Sequence, residues 1–552
     1  MIIPTRKDAM HRYVQKRCIK PLHSPTPYIL QNASCIFPLF LSSVLCKTHN
    51  SNLLIMKKLI ILFVLLMPAL LVRAQYITPG TGVLFTLDSL TAYSSGAVTF
   101  DPDGQYTFHQ DVTLSATDTL SILTDAEINM ADNVLVTVNG TMIVDPQSGI
   151  VFFKAQNDHF KGFRFDDSPG SLFYNTYFKK AGGIRLLWSD VMFTQCDFTE
   201  FDQQYSTGTI NVSQSAPMIE LCTFTYNGGP AVMSAANGNA SPQIINCEIK
   251  YNVTANGNTP QINLGTSGAD SIRIVGNLIE GNPDNFMAGG IALTTLAGGN
   301  ITARVEGNII RDNRYGITVF GHNIGAVLQG NGIYNNNTQN LPMQGGSGIN
   351  IYGNETNQAI LSGNIITGNL WGISLQGTPA PNIGNLDSAN YNPGNNSIYG
   401  NGNEGAVFDL YNNTPNDIMA QNNYWGTTNI DSVEMHIFHQ PDDPQLGLVT
   451  YLPIALEPVG FSQPAHSRQD IIANVYPNPT THSFFVEIQS SEILHTPVPG
   501  LQLSDAGGRM LAIDVNKEAN GYKVVLKEAY RGIAFLKITF ADKVKTKKII
   551  FR

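Results

Sequence analysis

Beyond residue 75 the chain holds only three cysteines, Cys196, Cys222 and Cys247, and only 23 Lys/Arg against 41 Asp/Glu. An odd number of thiols rules out a complete intrachain disulfide framework, and no His or carboxylate stands near them at zinc-site spacing. Stacked, buried thiols acting as small apolar fillers are the expectation. Residues 1–75 carry 10 of the 33 basic and 1 of the 42 acidic residues, so residues 76–552 have a formal charge of −18. That argues against nucleic acid and anionic membrane as partners. Helical periodicity is missing as well, which excludes a bundle or helical solenoid.

What is there is a repeat. Cys196, Cys222, Cys247, Asn277, Asn308, Asn331, Asn364 and Asn396 recur every 23 to 33 residues. Two residues after each rung the side chain is always apolar: Phe198, Phe224, Ile249, Ile279, Ile310, Ile333, Ile366 and Ile398. Three residues before the rungs runs a second apolar column, Phe193, Ile219, Ile244, Ile274, Val305, Leu328 and Leu361, and Gly276, Gly307, Gly330 and Gly363 precede the later rungs. Both columns should point inward, with a tight turn between them.

Five residues after the rungs stand Asn227, Asn252, Asn282, Asn313, Asn336, Asn369 and Asn401, with Phe201 the one departure. Asn tolerates left-handed backbone, and stacked Asn side chains can hydrogen-bond from coil to coil. A third strand lies in GIRL (183–186), TINV (209–212), AVMS (231–234), QINL (261–264), GIAL (290–293), GITV (316–319), GINI (348–351) and GISL (372–375). Its period-two alternation gives one buried and one wet face. Three short strands per unit, none able to bury its own apolar side alone, predict an all-β fold: a right-handed parallel β-helix solenoid. Residues 76–180 are expected to form less regular first coils and a cap over the open end.

The expected organisation has five parts. Residues 1–55 read as an upstream extension outside the translated protein, with translation beginning at Met56. Residues 56–74 read as a signal peptide: MKK, the apolar run Leu59–Leu71, too short for a secure membrane span, then Val72-Arg73-Ala74 before Gln75. The solenoid takes 76–456, a Pro/Ser/Gln-rich linker 457–470, and a separate domain 471–552.

AQNNYWG (420–426) and the Asp442-Asp443 loop resemble the closing coil of right-handed β-helix repeat proteins of the pectate-lyase-like superfamily. By that resemblance Tyr424 and Trp425 plug the end of the core. The superfamily hosts many chemistries, so the fold does not name an activity. The segment 474–552, with Tyr476-Pro477-Asn478-Pro479, the turn Ser504-Asp505-Ala506-Gly507-Gly508-Arg509 and a basic last strand holding Lys547, Lys548 and Arg552, is similar to type A sorting domains of type IX secretion. That resemblance implies a small β-sandwich, export across the outer membrane of a Bacteroidetes-type bacterium, secreted or cell-surface localisation, and the secretion machinery as a partner.

Family lyases carry a Lys or Arg base with carboxylate-bound Ca²⁺ on one outer face, and family hydrolases carry paired Asp. The aligned outward positions show neither constellation. Lys250, Glu280 and Arg311 form a charged column that reads as a solvated ion-pair row. Asp312, Arg314 and His322 are close in sequence but lie around a bend, and His436-x-x-His439 with Asp442 and Asp443 resembles a metal cluster by composition only. The wet column of the third strand, Arg185, Asn211, Asn263, Thr318, Asn350 and Ser374, with Phe320 and Tyr352 in the next outward column, is the candidate glycan-binding face, because amides and hydroxyls bond sugar hydroxyls and aromatic rings pack on sugar C–H faces. No catalytic residue, metal or cofactor is assigned. The expected function is a non-catalytic, glycan-binding or adhesive scaffold with extracellular polysaccharide or surface glycan as partner. The alternative is a polysaccharide lyase or glycoside hydrolase, under which alone Ca²⁺ would enter.

Overall fold

The computed structural model describes residues 75–203, 206–341, 344–460, 472–489, 500–505, 509–518, 521–540 and 543–552. The expected extension 1–55, the signal peptide 56–74 and linker residues 461–470 lie outside them. The chain divides into two compact units between Pro464 and Ala465.

The first unit is a parallel β-helix. Three sheets run its length: face A, 14 strands from Tyr76–Ile77 to Ile437–Phe438; face B, 14 strands from Leu84–Phe85 to Val449–Thr450; and face C, 13 strands from Val98–Phe100 to Ser397–Tyr399. The chain visits A, B and C in turn. Each apolar column of the sequence is an unbroken register of Cα partners. On face C, Phe198 pairs Phe224, then Ile249, Ile279, Ile310, Ile333, Ile366 and Ile398. On face B the run from Phe193 to Leu361 does the same. All of these side chains are buried in one continuous core, together with Cys196, Cys222 and Cys247. Burial pushes the Cys222 and Cys247 thiols well above their ordinary range, as an inert apolar filler requires.

From Gln195–Cys196 to Gly363–Asn364, seven consecutive coils pass from face B to face C through a two-residue corner. Its first residue always has φ between 51° and 68°, the left-handed region that four of the seven coils fill with Gly. Its second residue is the rung. In the later coils the rung side chains form a ladder: the Nδ2 of Asn277, Asn308, Asn331, Asn364 and Asn396 each donates to the Oδ1 of the next rung, ending on Asn423. The three cysteines occupy the same position, and the Sγ of Cys222 and Cys247 faces the carbonyl of Phe193 and Ile219, the face B column of the preceding coil.

A second ladder, at the C–A corner, runs Asn227, Asn252, Gln261, Asn313, Asn336, Asn369, Asn401 and ends on Asp409. Asn282 is not in it, contrary to the spacing. Its side chain caps a one-turn 3-10 helix, Pro283–Asn285, and the longer Gln261 side chain bridges the gap by bonding Asn252 and Asn313.

Both ends are closed. At the N-terminus a helix, Leu87–Tyr93, not foreseen in the sequence, buries Leu87 and Leu90 behind a Thr86/Ser89 capping box, and the first two strands of face C form an antiparallel hairpin. The buried Asp118 carboxylate gathers the backbone N–H groups of Gly80, Thr81, Gly82 and Val83. At the C-terminus Trp425 is 0% exposed and plugs the core. Tyr424 does not join it: it is half-buried and packs on Tyr399 at 6.0 Å. Helix Ile430–His436 comes next.

The second unit is two four-stranded antiparallel sheets around a core of its own that includes Phe484, Val486, Val524, Leu536 and Phe551.

Candidate functional site

The outward column of face A is continuous. Arg185, Asn211, Met233, Asn263, Ala292, Thr318, Asn350 and Ser374 are successive Cα partners, so strand spacing sets neighbours about 4.8 Å apart, with Met233 and Ala292 doubling the gap between polar groups on either side of Asn263. Arg185 is exposed and Asn211, Asn263, Thr318 and Asn350 are half-buried. Part of their bonding capacity is used internally: Asn211 Nδ2 donates to Ser206 Oγ, and Ser374 Oγ to Asn350 Oδ1. Ser374 itself is buried.

Phe320 and Tyr352 are also partners, with ring centroids 4.8 Å apart and planes within 7°. Rings stacked from coil to coil cover one another's inner faces, so the pair offers mainly its edges outward. Tyr352 is 40% exposed. Towards the C-terminal end the column changes character: Ser374 is followed by Tyr411 and Phe438, which cluster with Trp371 and Leu370 in a buried aromatic patch outside the main core. The wet stretch of face A ends there.

The charged column on face C is in register, Lys250 to Glu280 to Arg311, but only half of it is a cross-coil pair. Arg311 meets Glu280 at 3.2 Å, whereas Lys250 turns to Glu248 of its own strand at 2.8 Å. Asp312 and His322 are not brought together: strand Ile317–Gly321 lies between them, about 16 Å of extended chain. Arg314 instead ties its own turn to two loops, bonding Gln339 Oε1 and the carbonyl of Gln344 in one and Asn258 Oδ1 in the other.

His436 and His439 also part company. His436 Nδ1 lies 3.0 Å from Asp409 Oδ2, at the end of the second Asn ladder. His439 Nδ1 accepts from Val449 N, so Nε2 carries the proton and faces Glu434 Oε1 at 3.1 Å. Asp442 Oδ2 accepts from His439 N and Asp443 Oδ1 from Gln445 N, closing a turn. Among the described residues no three His, Cys, Asp or Glu side chains are placed to hold a metal ion.

One feature was not foreseen in the sequence. At the C–A corner of the earlier coils a shallow cleft of about 380 Å³ is lined by His159, Glu200, Phe201, Asp202, Gln203, Tyr226, Gly228, Thr254 and Ala255. Its signal was Phe201, the single departure from the Asn column. Phe201 takes the place of a ladder amide, and its own N–H donates to Asn227 Oδ1, so the ladder starts beside the cleft.

In the second unit the Tyr476–Pro479 motif is fastened to the last strand by one side chain. Asn478 Nδ2 donates to the carbonyl of Lys548 and Asn478 Oδ1 accepts from Ile550 N, as a strand neighbour's backbone would. Asp505 accepts from both the backbone and the guanidinium of Arg509; residues 506–508 of that turn lie outside the described residues.

Residues 474–552 match the family described as "Secretion system C-terminal sorting domain". No curated protein matches the chain. Among solved structures, the periplasmic alginate epimerase AlgG, as a double mutant, is 11% identical over 68% of this chain and 83% of its own, with a TM-score of 0.33. A tailspike protein, gp49 from Acinetobacter baumannii bacteriophage Fri1, described as a capsular polysaccharide depolymerase, is 9% identical over 86% of this chain and 78% of its own, with a TM-score of 0.15. The fold assignment rests on the strand register of the three sheets. No helix among the described residues is long and apolar enough to cross a membrane. The chain is an exported parallel β-helix carrying a type IX sorting domain at its C-terminus, destined for the cell surface or the medium.

Proposed function

We propose that the β-helix is a non-catalytic scaffold that binds polysaccharide or surface glycan along the outer side of face A, through Arg185, Asn211, Asn263, Thr318 and Asn350 with Phe320 and Tyr352 beside them. The observation that carries this reading is the unbroken register of that column. A polymer that presents hydroxyls repeatedly is well matched by amides and hydroxyls repeated at coil spacing. Arg185 would contribute a charged donor at one end, and the buried aromatic patch around Tyr411 bounds the other.

The test is binding of the purified protein to a panel of acidic and neutral polysaccharides. Retention on at least one, weakened by Asn350→Ala and Tyr352→Ala, is expected. Release of unsaturated or reducing ends from any of them would replace this reading by the lyase or hydrolase alternative. Export is tested separately. Each unit closes its own core, so deleting 474–552 should leave a folded β-helix in the periplasm, and normal amounts at the cell surface would contradict the role given to the tail.

A further inference from the structure

We propose that the cleft at the C–A corner, built by His159, Glu200, Phe201, Asp202, Gln203 and Tyr226, is a second saccharide subsite, one that accepts a donor-rich neutral or amino sugar and rejects uronic acids. It borrows from the proposed function only the expectation that the ligand is a saccharide; its place, residues and selectivity are separate from face A.

The lining sets the chemistry. Among the described residues it contains two carboxylates and neither Lys nor Arg. Glu200 is met from outside by Lys179 Nζ at 3.1 Å, and the Asp202 carboxylate lies 3.7 Å from His159 Nδ1. Two lining donors are directed at protein acceptors, His159 Nε2 at the carbonyl of Glu200 and Gln203 Nε2 at that of Gly228, and His159 Nδ1 lies 2.9 Å from Asp158 Oδ1. What the cleft presents is two carboxylates with the hydroxyls of Tyr226 and Thr254 beside them. Vicinal hydroxyls, or a hydroxyl beside an ammonium group, satisfy a carboxylate with two donors, whereas a uronate would set like charges together.

The walls favour a ring-shaped, amphipathic ligand. Phe201 is buried beneath the cleft, while Tyr226 is 53% exposed. Tyr251 packs against Tyr226 from the following coil at 5.6 Å with planes 40° apart, and that coil also reaches the cleft through Thr254 and Ala255. Unlike the closed Phe320–Tyr352 stack, this arrangement leaves aromatic surface towards the carboxylates. A volume near 380 Å³ falls at the low end of small-ligand clefts.

The backbone adds a further observation. The residue that leaves each face C strand is left-handed in most coils, and later coils fill it with Asn335, Gly368 and Gly400, which tolerate that geometry. In the coils around the cleft the same position is Glu200 (φ 57°) and Tyr226 (φ 56°). Lys180 (φ 58°) and Tyr251 (φ 59°) stand at the same position outside the cleft lining, so large left-handed residues mark this whole stretch of coils, and two of them, Glu200 and Tyr226, line the cleft.

The experiment is calorimetric titration of the exported protein with tetramers of neutral β-linked hexose, of β-linked glucosamine and of galacturonate, using wild type, Tyr226→Ala, Asp202→Asn and Tyr352→Ala. Binding of a neutral or glucosamine tetramer, weakened at least tenfold by Tyr226→Ala and unchanged by Tyr352→Ala, is the expected result. Tyr226 is exposed, so its variant keeps the test valid if Asp202→Asn does not fold. Binding that depends on Tyr352 and not on Tyr226 overturns the cleft while leaving face A standing. Binding of galacturonate through Tyr226, or no binding of any tetramer at millimolar concentration, also overturns it.

Discussion

At the B–C corner seven consecutive coils turn in two residues, whereas at the C–A corner the connection runs from 3 residues (368–370) to 12 (335–346). The same device, a row of buried amides, serves both corners. At B–C the turn is uniform, one left-handed residue and then one rung, and from Asn277 onward each rung's amide passes a hydrogen bond to the next. At C–A the row is broken at Phe201, rerouted through Gln261 around Asn282, and finished by a carboxylate. The irregular unit length of the sequence is thus absorbed where loops can lengthen without disturbing the core, and the cleft forms on that side. The regular corner fixes the register; the irregular one is free to carry recognition.

Breaking the core that both corners share should have the largest effect. Ile310→Asp places a carboxylate among the apolar side chains of face C and should cost about 4–5 kcal/mol. A melting temperature equal to wild type would refute the register. Next comes the uniform corner. Asn331→Ala strands the N–H and Nδ2 donors of Asn308 and the carbonyl of Val305, and should cost about 2–3 kcal/mol in urea titration.

At the irregular corner the rerouting itself can be tested. Gln261→Ala should cost about 2 kcal/mol, since it leaves Asn252 and Asn313 without their bridging partner, whereas Asn282→Ala removes only the cap of a single turn and should cost about 1 kcal/mol or less. Equal losses at the two positions would remove the distinction. The smallest effect belongs to the surface pair on face C: Arg311→Ala should cost no more than about 0.5–1 kcal/mol, less at high salt.

The two ends differ in their response to acid. At Asp118 burial alone would push the carboxyl up, but the Thr78 hydroxyl and the amides of Val83, Gly80 and Gly82 together hold it below the usual range. Its stabilisation is present above the unfolded value of about 3.9 and is lost as pH falls through the lower folded value. Asp409 is the reverse. Burial raises it, only partly offset by His436 and Asn401, so its contribution is complete below about 3.9 and declines as pH rises through the folded value. Hydrogen exchange on moving from pH 5 to pH 3 should therefore quicken first in residues 78–83, and earlier loosening around residues 401–409 would contradict this.

The apolar columns were legible because a strand offers only two directions and every coil repeats the choice. Ile310 could be placed inside from its spacing alone. Asn282 could not be excluded from the ladder in the same way, since spacing does not reveal that Pro283 starts a 3-10 turn or that a Gln in the neighbouring strand is long enough to replace it. The seven-residue cap helix Leu87–Tyr93 was hidden by its shortness. The face A column was readable as a row of polar side chains. What the sequence withheld was the orientation of Phe320 against Tyr352, because whether aromatic neighbours present faces or edges depends on side-chain torsions. The cleft left a single trace, the Phe at position 201, whose partners come from three coils.

Both amide rows have a sense of direction. Along both, one N–H of each side-chain amide goes to the next member, nearer the C-terminal end of the solenoid, while the other goes to a backbone carbonyl, so the side-chain amide dipoles still line up head to tail and neighbours polarise one another. Such a row needs different chemistry at its two extremities: a donor where oxygens lead, an acceptor where hydrogens trail. Phe201 N–H supplies the first and Asp409 the second, with a negative charge facing the positive tip of the aligned dipoles. A coil inserted upside down, or a copy of the solenoid joined end to end in the opposite sense, would set donor against donor. The amide rows therefore make the stack vectorial, with a beginning and an end that cannot be exchanged.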